Sequence, residues 1–591
     1  MDIKTNGTKY IFVVGGVMSG VGKGVTTASI ATILESAGYT VSPIKVDPYL
    51  NVDAGTMNPT EHGEVFVLED GMECDQDMGN YERFLDRSLP SLNYMTNGMV
   101  FLHVINKERA LGYDGRCVEP TYHITEEIIR RITESSRETE ADITIIEIGG
   151  TIGEYQNAIF IEAGRRMKRQ LPSDVMFAMV SYLPTPPSIG EMKTKPTQNA
   201  ARQLNSYGVA PDMIIGRAET PLDEKRKQKI ADMCGVDVEK VISAPDIDSI
   251  YEVPLNFAAA DIDMQILSFF GLVEPEKDLD KWRDFVVKQK EAKDQVKIAV
   301  VGKYFATGDF QLSDAYISVI EAIKIASAHA DVVPEVDWIN ADEFEGDSAA
   351  EALQQLAEYD GLIVPGGFGT TGIEGKIAAI NYAREHKLPF FGLCYGMQLA
   401  VVEYARNVLG LSEADTVEIN PDTPDPVIAV MAEQEDKLAA GEYGGTMRLG
   451  VYPAVLTEGS IAYSAYKNSD RLQTGSRAEA GRRGQLADGD TQIAAATEES
   501  GSQSKADEAV EFVFERHRHR FEVNNEYIDK LEEAGLVFSG RSPDGGLMEI
   551  AELPETEHPF FLGTQFHPEF TARVLSSQPL FDAFIAACKE E

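Results

Sequence analysis

Two apolar runs, each closed by a glycine turn that opens onto a helix-forming stretch, constrain the fold of this chain more than any other feature. The first is "YIFVVGGVMSGVGKG", leading into "VTTASIATILESAG"; the second is "LPFFGLCYG", leading into "MQLAVVEYA". Strand, tight turn and helix in that order belong to α/β sheets, where ligands meet the carboxyl ends of parallel strands. In the first run, glycines, Lys23 and a helix start place backbone N–H groups and a point charge around phosphate oxygens. In the second, the turn carries Cys394 in the layout of a nucleophile elbow with sulfur as nucleophile. A cysteine at a helix start favours the thiolate.

The alternation of apolar runs and helical stretches extends around both motifs. Strands are expected at 10–16, 141–150, 174–183 and 211–217, with amphipathic stretches such as "EEIIRRITESSRE" between them. The pattern stops near residue 273, and the charged segment 274–294 reads as a connecting helix. A second series starts at "QVKIAVVGKY" (295–304) and continues through 359–369 and 388–396. The expected fold class is therefore α/β, with two doubly wound parallel-sheet domains at 1–273 and 295–591. Two domains suit a chain of 591 residues. Residues 475–508 carry no aromatic and almost no large apolar side chain, so they are expected to form a disordered insertion.

Charge and cysteine usage exclude some classes of function. With 96 acidic and 53 basic residues the net charge is −43, which argues against a nucleic-acid binder, since that needs a basic surface. It reads instead as adaptation to a high-salt cytoplasm, where screening weakens like-charge repulsion. The five cysteines show no CxxC spacing, which suits a reduced, cytoplasmic setting. No apolar run is long enough to span a bilayer, and the first residues lack a secretory leader pattern, so no membrane partner is expected.

The phosphate loop raises a question about its metal. Such loops usually follow the lysine with Ser or Thr, whereas Gly24 follows Lys23 here. Residues Ser19, Gly20, Val21, Gly22, Lys23, Gly24 and Val25 are the expected phosphate cradle, and Mg²⁺ must find carboxylates elsewhere. "EDGMECDQD" offers Glu69, Asp70, Glu73, Asp75 and Asp77, and Glu147 ends a strand-like run; Asp77 and Glu147 are the candidates. "GEMKTKPTQNAARQL" sets Lys193 and Lys195, with Thr197 and Gln198, at a helix start that suits a second phosphate-bearing ligand. In the second half, "PGGFG" can supply oxyanion donors, and "GTQFHPEF" supplies His567 and Glu569 as base and orienter for Cys394.

These residues carry a resemblance. The second half resembles the class I glutamine amidotransferases through its Gly-x-Cys-x-Gly elbow and "HPE". The first half, in this order with the second, resembles the CTP synthase family through the opening loop, "KVDPYLNVDAGTMNPTEHGEVFVLEDG", "IEIGGTIGE" and "KTKPTQ". "GGTMRLG" at 444–450 matches as well. The resemblance implies amination of UTP at C4 to CTP. ATP phosphorylates O4, and ammonia freed from glutamine at Cys394, His567 and Glu569 displaces the phosphate. It implies Lys23 and Lys45 as the phosphoryl-transfer residues, and it implies that the phosphate cradle of residues 19–25 and Asp77 bind ATP. It implies Ser19, Lys193, Thr194, Lys195, Pro196, Thr197, Gln198 and Lys229 at the uridine nucleotide, and Glu154, Tyr155 and Gln156 beside the inhibitory product CTP.

For glutamine it implies Gly367, Tyr395, Gly396, Met397, Gln398, Glu418 and Arg520. GTP is implied as an allosteric activator acting through Phe368 and Arg448. His62 and Val65 are implied along an ammonia route, and the assembly is implied to be a homotetramer. The chain departs from the family's common pattern at Tyr395, where leucine is more usual, and at Glu154-Tyr155-Gln156. Two other readings share parts of the pattern: a cobyrinate-type amidase and a catalytically inactive, filament-forming nucleotide sensor.

Overall fold

The computed structural model describes residues 7–589 except 189, 274–275, 304–305, 308–309, 312, 347, 370, 432–444 and 488–508. The chain divides into two compact units, Met1–Ala54 with Asp77–Val286, and Gly55–Gln76 with Val287–Glu591.

Near-continuous apolar runs form the strands of the first unit because helices cover both faces of its sheet. Seven parallel strands run in the spatial order Tyr94–Thr96, Val41–Asp47, Ile143–Ile148, Lys9–Gly16, Val175–Tyr182, Met213–Ala218 and Val241–Pro245. Alternate residues feed two cores. Tyr10, Phe12 and Val14 face one side, while Ile11 and Val13 face the other. The order reverses around Lys9–Gly16, so the carboxyl end of that strand opens at the switch point where α/β sheets bind ligands. Register sets Lys45 opposite Glu147 on neighbouring strands.

The second unit holds a ten-stranded sheet. Its first five strands, Val332–Asn340, Asp294–Gly302, Gly361–Val364, Phe390–Leu393 and Phe561–Thr564, are parallel, as expected. The next five, Met548–Glu552, Val537–Arg541, Arg448–Leu456, Ala509–His519 and Gln473–Ser476, are antiparallel. The doubly wound description therefore covers half of this sheet, and antiparallel strands extend it.

The structure adds to the sequence-based expectation or differs from it in three places. Residues 55–76 pack with the second unit, although their chain neighbours on both sides belong to the first. The connecting helix is Asp280–Glu291, and its Trp282, Phe285 and Val286 are buried. Trp282 donates to the Tyr251 carbonyl at 2.7 Å within the first unit, whose last residue, Val286, falls inside this helix. The expected disorder of 475–508 is corrected over its first part. Gln473–Ser476 is an edge strand on Ala509–His519, and Arg477–Ala487 is a helix. Edge-strand hydrogen bonds and one small side chain suffice there, since Ala480 is buried against Val455 and Phe512. The remainder, 488–508, lies outside the described residues.

Candidate functional sites

In the first unit the helix Lys23–Ser36 starts at Gly22, whose φ of 86° is open to glycine, and no side chain caps its first turn. In the loop before it Ser19 and Gly20 are exposed. Lys23 is buried and donates to the Gly150 carbonyl at 2.9 Å. Gly24 has no room for a side chain, because an added Cβ would lie 2.1 Å from Asp77 Oδ1. The missing hydroxyl after Lys23 thus has a structural counterpart: a carboxylate occupies the space beside the loop.

That carboxylate belongs to a buried charge cluster. Lys45 Nζ pairs with Asp77 Oδ2 and lies 3.5 Å from Asp47 and 3.7 Å from Glu147. Tyr81 donates its hydroxyl to the other Glu147 oxygen. Burial, then the neighbouring Asp77 charge, pushes the Glu147 carboxyl up to about 7. Burial opposes ionisation of Asp77 too, but Lys45 outweighs it and leaves that carboxyl lowered. Two carboxylates drawn together beside a phosphate loop form a donor set for a hard cation that completes its shell with phosphate and water. No group of three His, Cys, Asp or Glu forms a ready-made site among the described residues. The residues fit Mg²⁺ held in that shared way.

The expected nucleotide residues lie on a neighbouring helix, Lys195–Ser206, which passes so close to the loop strand that a Cβ on Gly16 would meet Ala200 at 2.7 Å. Pro196 stands in its first turn, and Thr197 accepts from Ser181 at 2.9 Å. Gln198 donates to Thr194 at 3.1 Å. Lys193 pairs with Glu191 at 2.8 Å, while Lys195 and Lys229 are exposed. Glu154 accepts from the Thr151 N–H at 2.8 Å and from the Gln156 amide at 2.9 Å. Tyr155 is 98 % exposed.

In the second unit Cys394 sits between the strand Phe390–Leu393 and the helix Tyr395–Asn407 with φ 49° and ψ −96°, a strained conformation for a non-glycine residue. Close packing permits the turn only with glycines around it. A Cβ on Gly396 would lie 2.1 Å from the Val364 carbonyl, and one on Gly366 would meet the His567 ring at 2.8 Å. His567 Nδ1 bonds Glu569 Oε1 at 2.7 Å, and all three side chains are buried. Burial works against the His567 imidazolium, but Glu569 and then Cys394 hold its proton, and its pKa is pushed up to about 10. An imidazolium that persistent is the partner a thiolate needs, and it can later give a proton to a leaving amine.

One cavity is lined by Cys394, His567, Glu569, Gly367, Phe368 and Val65. The other expected glutamine residues are not among those that line it. Met397 and Gly396 are buried in the helix, and Tyr395 donates to the Gly369 carbonyl at 3.1 Å. Gln398 donates to the Phe521 carbonyl at 2.9 Å, Glu418 accepts from Gly369 N–H at 2.8 Å, and Arg520 donates to Thr446 at 2.9 Å. His62 lies 3.6 Å from Asp75.

Arg448 and Phe368 are not brought together in character. Phe368 is half-exposed, with Lys303 5.2 Å from its ring. Arg448 is buried, paired with Glu549 at 2.8 Å and Glu522 at 3.2 Å, beside the hydrogen-bonded His517 and His519. Its guanidinium is committed to an internal ion cluster.

Several residues at these sites lie outside the expected set. Gln565 approaches Cys394 Sγ at 3.5 Å, and Arg518 lines the cavity while pairing with Glu73 at 2.8 Å. Lys376 is buried 5.4 Å from the Tyr395 ring, where burial and then Lys303 push its pKa down to about 8. Arg217 would touch a Cβ placed on Gly22. Only Gln565 stands within a recognisable motif.

Comparison with known proteins adds to this geometry. A family model described as CTP synthase N-terminus matches residues 9–272, and one described as glutamine amidotransferase class-I matches 311–587. The CTP synthase of Bacillus licheniformis is 44 % identical over 98 % of this chain and 98 % of its own. That of Caldanaerobacter subterraneus is 45 % identical, again over 98 % of both chains. A solved structure titled as the glutaminase domain of Trypanosoma brucei CTPS with bound acivicin is 32 % identical. It covers 50 % of this chain and 94 % of that one, with a TM-score of 0.40.

Proposed function

The chain belongs to the CTP synthase family, and from that premise we propose how its residues divide one reaction between two units. The activity is glutamine-hydrolysing ligation, in which ATP, UTP and glutamine are substrates and CTP is the product. A cobyrinate-type amidase would have no reason to match a CTP synthase model over 9–272.

In the second unit Cys394 attacks the side-chain amide carbon of glutamine. Backbone N–H groups of the loop at 365–369 receive the developing oxyanion. His567, oriented by Glu569, protonates the departing ammonia and then serves as base for the water that releases glutamate. Gly367, Tyr395, Gly396, Met397, Gln398, Glu418 and Arg520 are assigned to shaping the glutamine pocket. In the first unit Lys23 and Lys45 stabilise charge on the phosphoryl group as it passes from ATP to O4 of UTP. Lys193, Thr194, Lys195, Pro196, Thr197, Gln198 and Lys229 are assigned to the uridine nucleotide, and Ser19 to the loop shared by both nucleotides. Asp77 and Glu147 would hold Mg²⁺, which supplies neutralisation of phosphate charge. Ammonia then attacks C4, and the C4–O bond breaks as phosphate leaves.

The regulatory part of the reading assigns GTP activation to the Phe368 side of the glutaminase pocket, with Arg448 acting from within the fold. It assigns CTP inhibition to the segment Glu154–Gln156, and it includes a homotetramer. A cytoplasmic, high-salt setting is supported by the net charge of −43 and by five free cysteines. No helix among the described residues is long and apolar enough to cross a membrane.

The observation that carries the reading is Cys394 at a strained strand–helix elbow with His567 and Glu569 beside it, on the same chain as the Lys23 loop. CTP formation from UTP, ATP and either glutamine or ammonium chloride tests it. Formation with both sources is expected, and formation with neither would overturn it.

A further inference from the structure

Residues 55–76 leave the chain of the first unit to pack in the second. One carboxylate dominates their attachment. Glu64 is buried, and both its oxygens accept from the Ser318 N–H at 3.2 Å. The Ser318 hydroxyl donates to Glu64 as well, and the Glu64 N–H donates to the Asp314 carbonyl at 2.9 Å. The helix Ile317–His329 has no side-chain cap of its own at Tyr316. Glu64 supplies one from 254 positions away, where a carboxylate meets the Ser318 N–H and the positive end of the helix dipole.

The position of this clamp matters more than its strength. Pro59, Glu64 and Val65 form one wall of the cavity that holds Cys394 and His567. Ala315 and Tyr316, just before the capped helix, form another. A single side chain therefore ties two walls of the same cavity, which has a volume of about 80 Å³, room for several molecules the size of water or ammonia. The segment is held further along by Arg516 donating to the Val67 carbonyl at 3.0 Å and by Glu73 on Arg518.

We propose that Glu64 is a positioning residue for nitrogen transfer: by clamping the segment 55–76 onto the helix Ile317–His329 it closes the nucleophile's cavity and keeps freed ammonia from bulk water. The proposal rests on the reading that Cys394 releases ammonia for use by the same chain. Ammonia that reaches water is diluted and protonated, and so is lost to the reaction. Opening the wall leaves Cys394, His567 and Glu569 in place, so hydrolysis continues while its product escapes.

The test counts glutamate and CTP in the same reaction for the full-length Glu64→Ala and Ser318→Ala variants. A second reaction measures CTP made from ammonium chloride. Glutamate formed per CTP should rise about threefold or more over the parent in Glu64→Ala, and by less in Ser318→Ala, which keeps the backbone donor. CTP synthesis from ammonium chloride should stay within about twofold of the parent in both. An unchanged ratio in both variants, or a parallel fall of glutamate and CTP, would overturn the clamp. If Glu64→Ala does not fold, the ratio in Ser318→Ala decides alone. A parent chain that makes no CTP from either nitrogen source would instead remove the functional reading on which the clamp rests.

Discussion

The surroundings of Cys394 and those of Lys23 are built to different standards of order. Cys394, His567 and Glu569 are at most 8 % exposed, and His567 has a partner in Glu569 at 2.7 Å before any ligand arrives. In the first unit Ser19, Gly20, Lys195 and Lys229 are exposed, and Tyr155 is almost wholly so. Beside the loop, Lys23, Lys45, Asp47 and Glu147 are buried. Acyl transfer forms and breaks covalent bonds to the protein, so its groups must be in line from the start. Phosphate recognition works through backbone donors and point charges that gather on the ligand.

Substitutions at the two sites test this contrast. The largest effect is expected from Cys394→Ala, which should lower glutamine-supported CTP synthesis by roughly 10⁴-fold or more while sparing synthesis from ammonium chloride. Equal loss with both nitrogen sources would erase the distinction between the sites. Lys23→Ala should lower synthesis from both sources, by roughly 10²–10³-fold, because neither helps when O4 is not phosphorylated. Retained ammonia-supported activity would remove Lys23 from the chemistry.

Arg448→Ala sharpens the contrast on the glutaminase side. It leaves Glu549 and Glu522 buried without their cation, which costs about 3–5 kcal/mol. Denaturant unfolding of this variant should show that loss. A fully stable variant that had lost only its response to GTP would return Arg448 to a direct effector role.

Glu569→Gln should cut glutaminase activity by roughly tenfold to 10²-fold and change its pH profile. The folded pKa of His567, about 10, lies above its ordinary 6.5. The ion-pair stabilisation is therefore complete below the ordinary value and is lost as pH rises through about 10. Without the carboxylate the proton is held less firmly, so the alkaline fall in activity should move toward neutral pH. An alkaline limb at the parental pH would show that Glu569 does not set the imidazolium.

The smallest effect is expected at the exposed end of the first unit. Gln156→Glu should tighten CTP inhibition by up to roughly tenfold, the difference between a charged and a neutral hydrogen-bond acceptor. The UTP Michaelis constant should hardly change, because its triphosphate is assigned to Lys193, Lys195 and Lys229. In the present structure the Gln156 amide is bonded to Glu154 at 2.9 Å, and a carboxylate there would repel it. Equal shifts in the CTP and UTP constants would mean that the loop rearranges as a whole.

Much of both sites was legible in the chain because the chemistry is local in sequence. The phosphate loop lies within 15–24, the elbow within 392–396, and His567 and Glu569 two residues apart. Each is set by a strand end, a turn and a helix start, which glycine spacing and apolar runs report directly. The strand and helix over 473–487 are not legible in the chain because edge pairing and a single buried alanine leave no periodic trace. The burial of Arg448 was missed for a similar reason. A motif records the residue type, and whether a guanidinium faces a ligand or Glu549 depends on strands far apart in the chain.

The sequence by itself determined two α/β units, their phosphate loop and cysteine elbow, and the family to which they belong, since all of these are written in runs of adjacent residues. Tertiary structure alone decided that residues 55–76 belong with the glutaminase, that Asp77 fills the space beside Gly24, and that Glu64 caps a helix 254 positions away. Those outcomes come from packing and from pairing buried charge. Both depend on which surfaces meet in space, and separation along the chain does not record that.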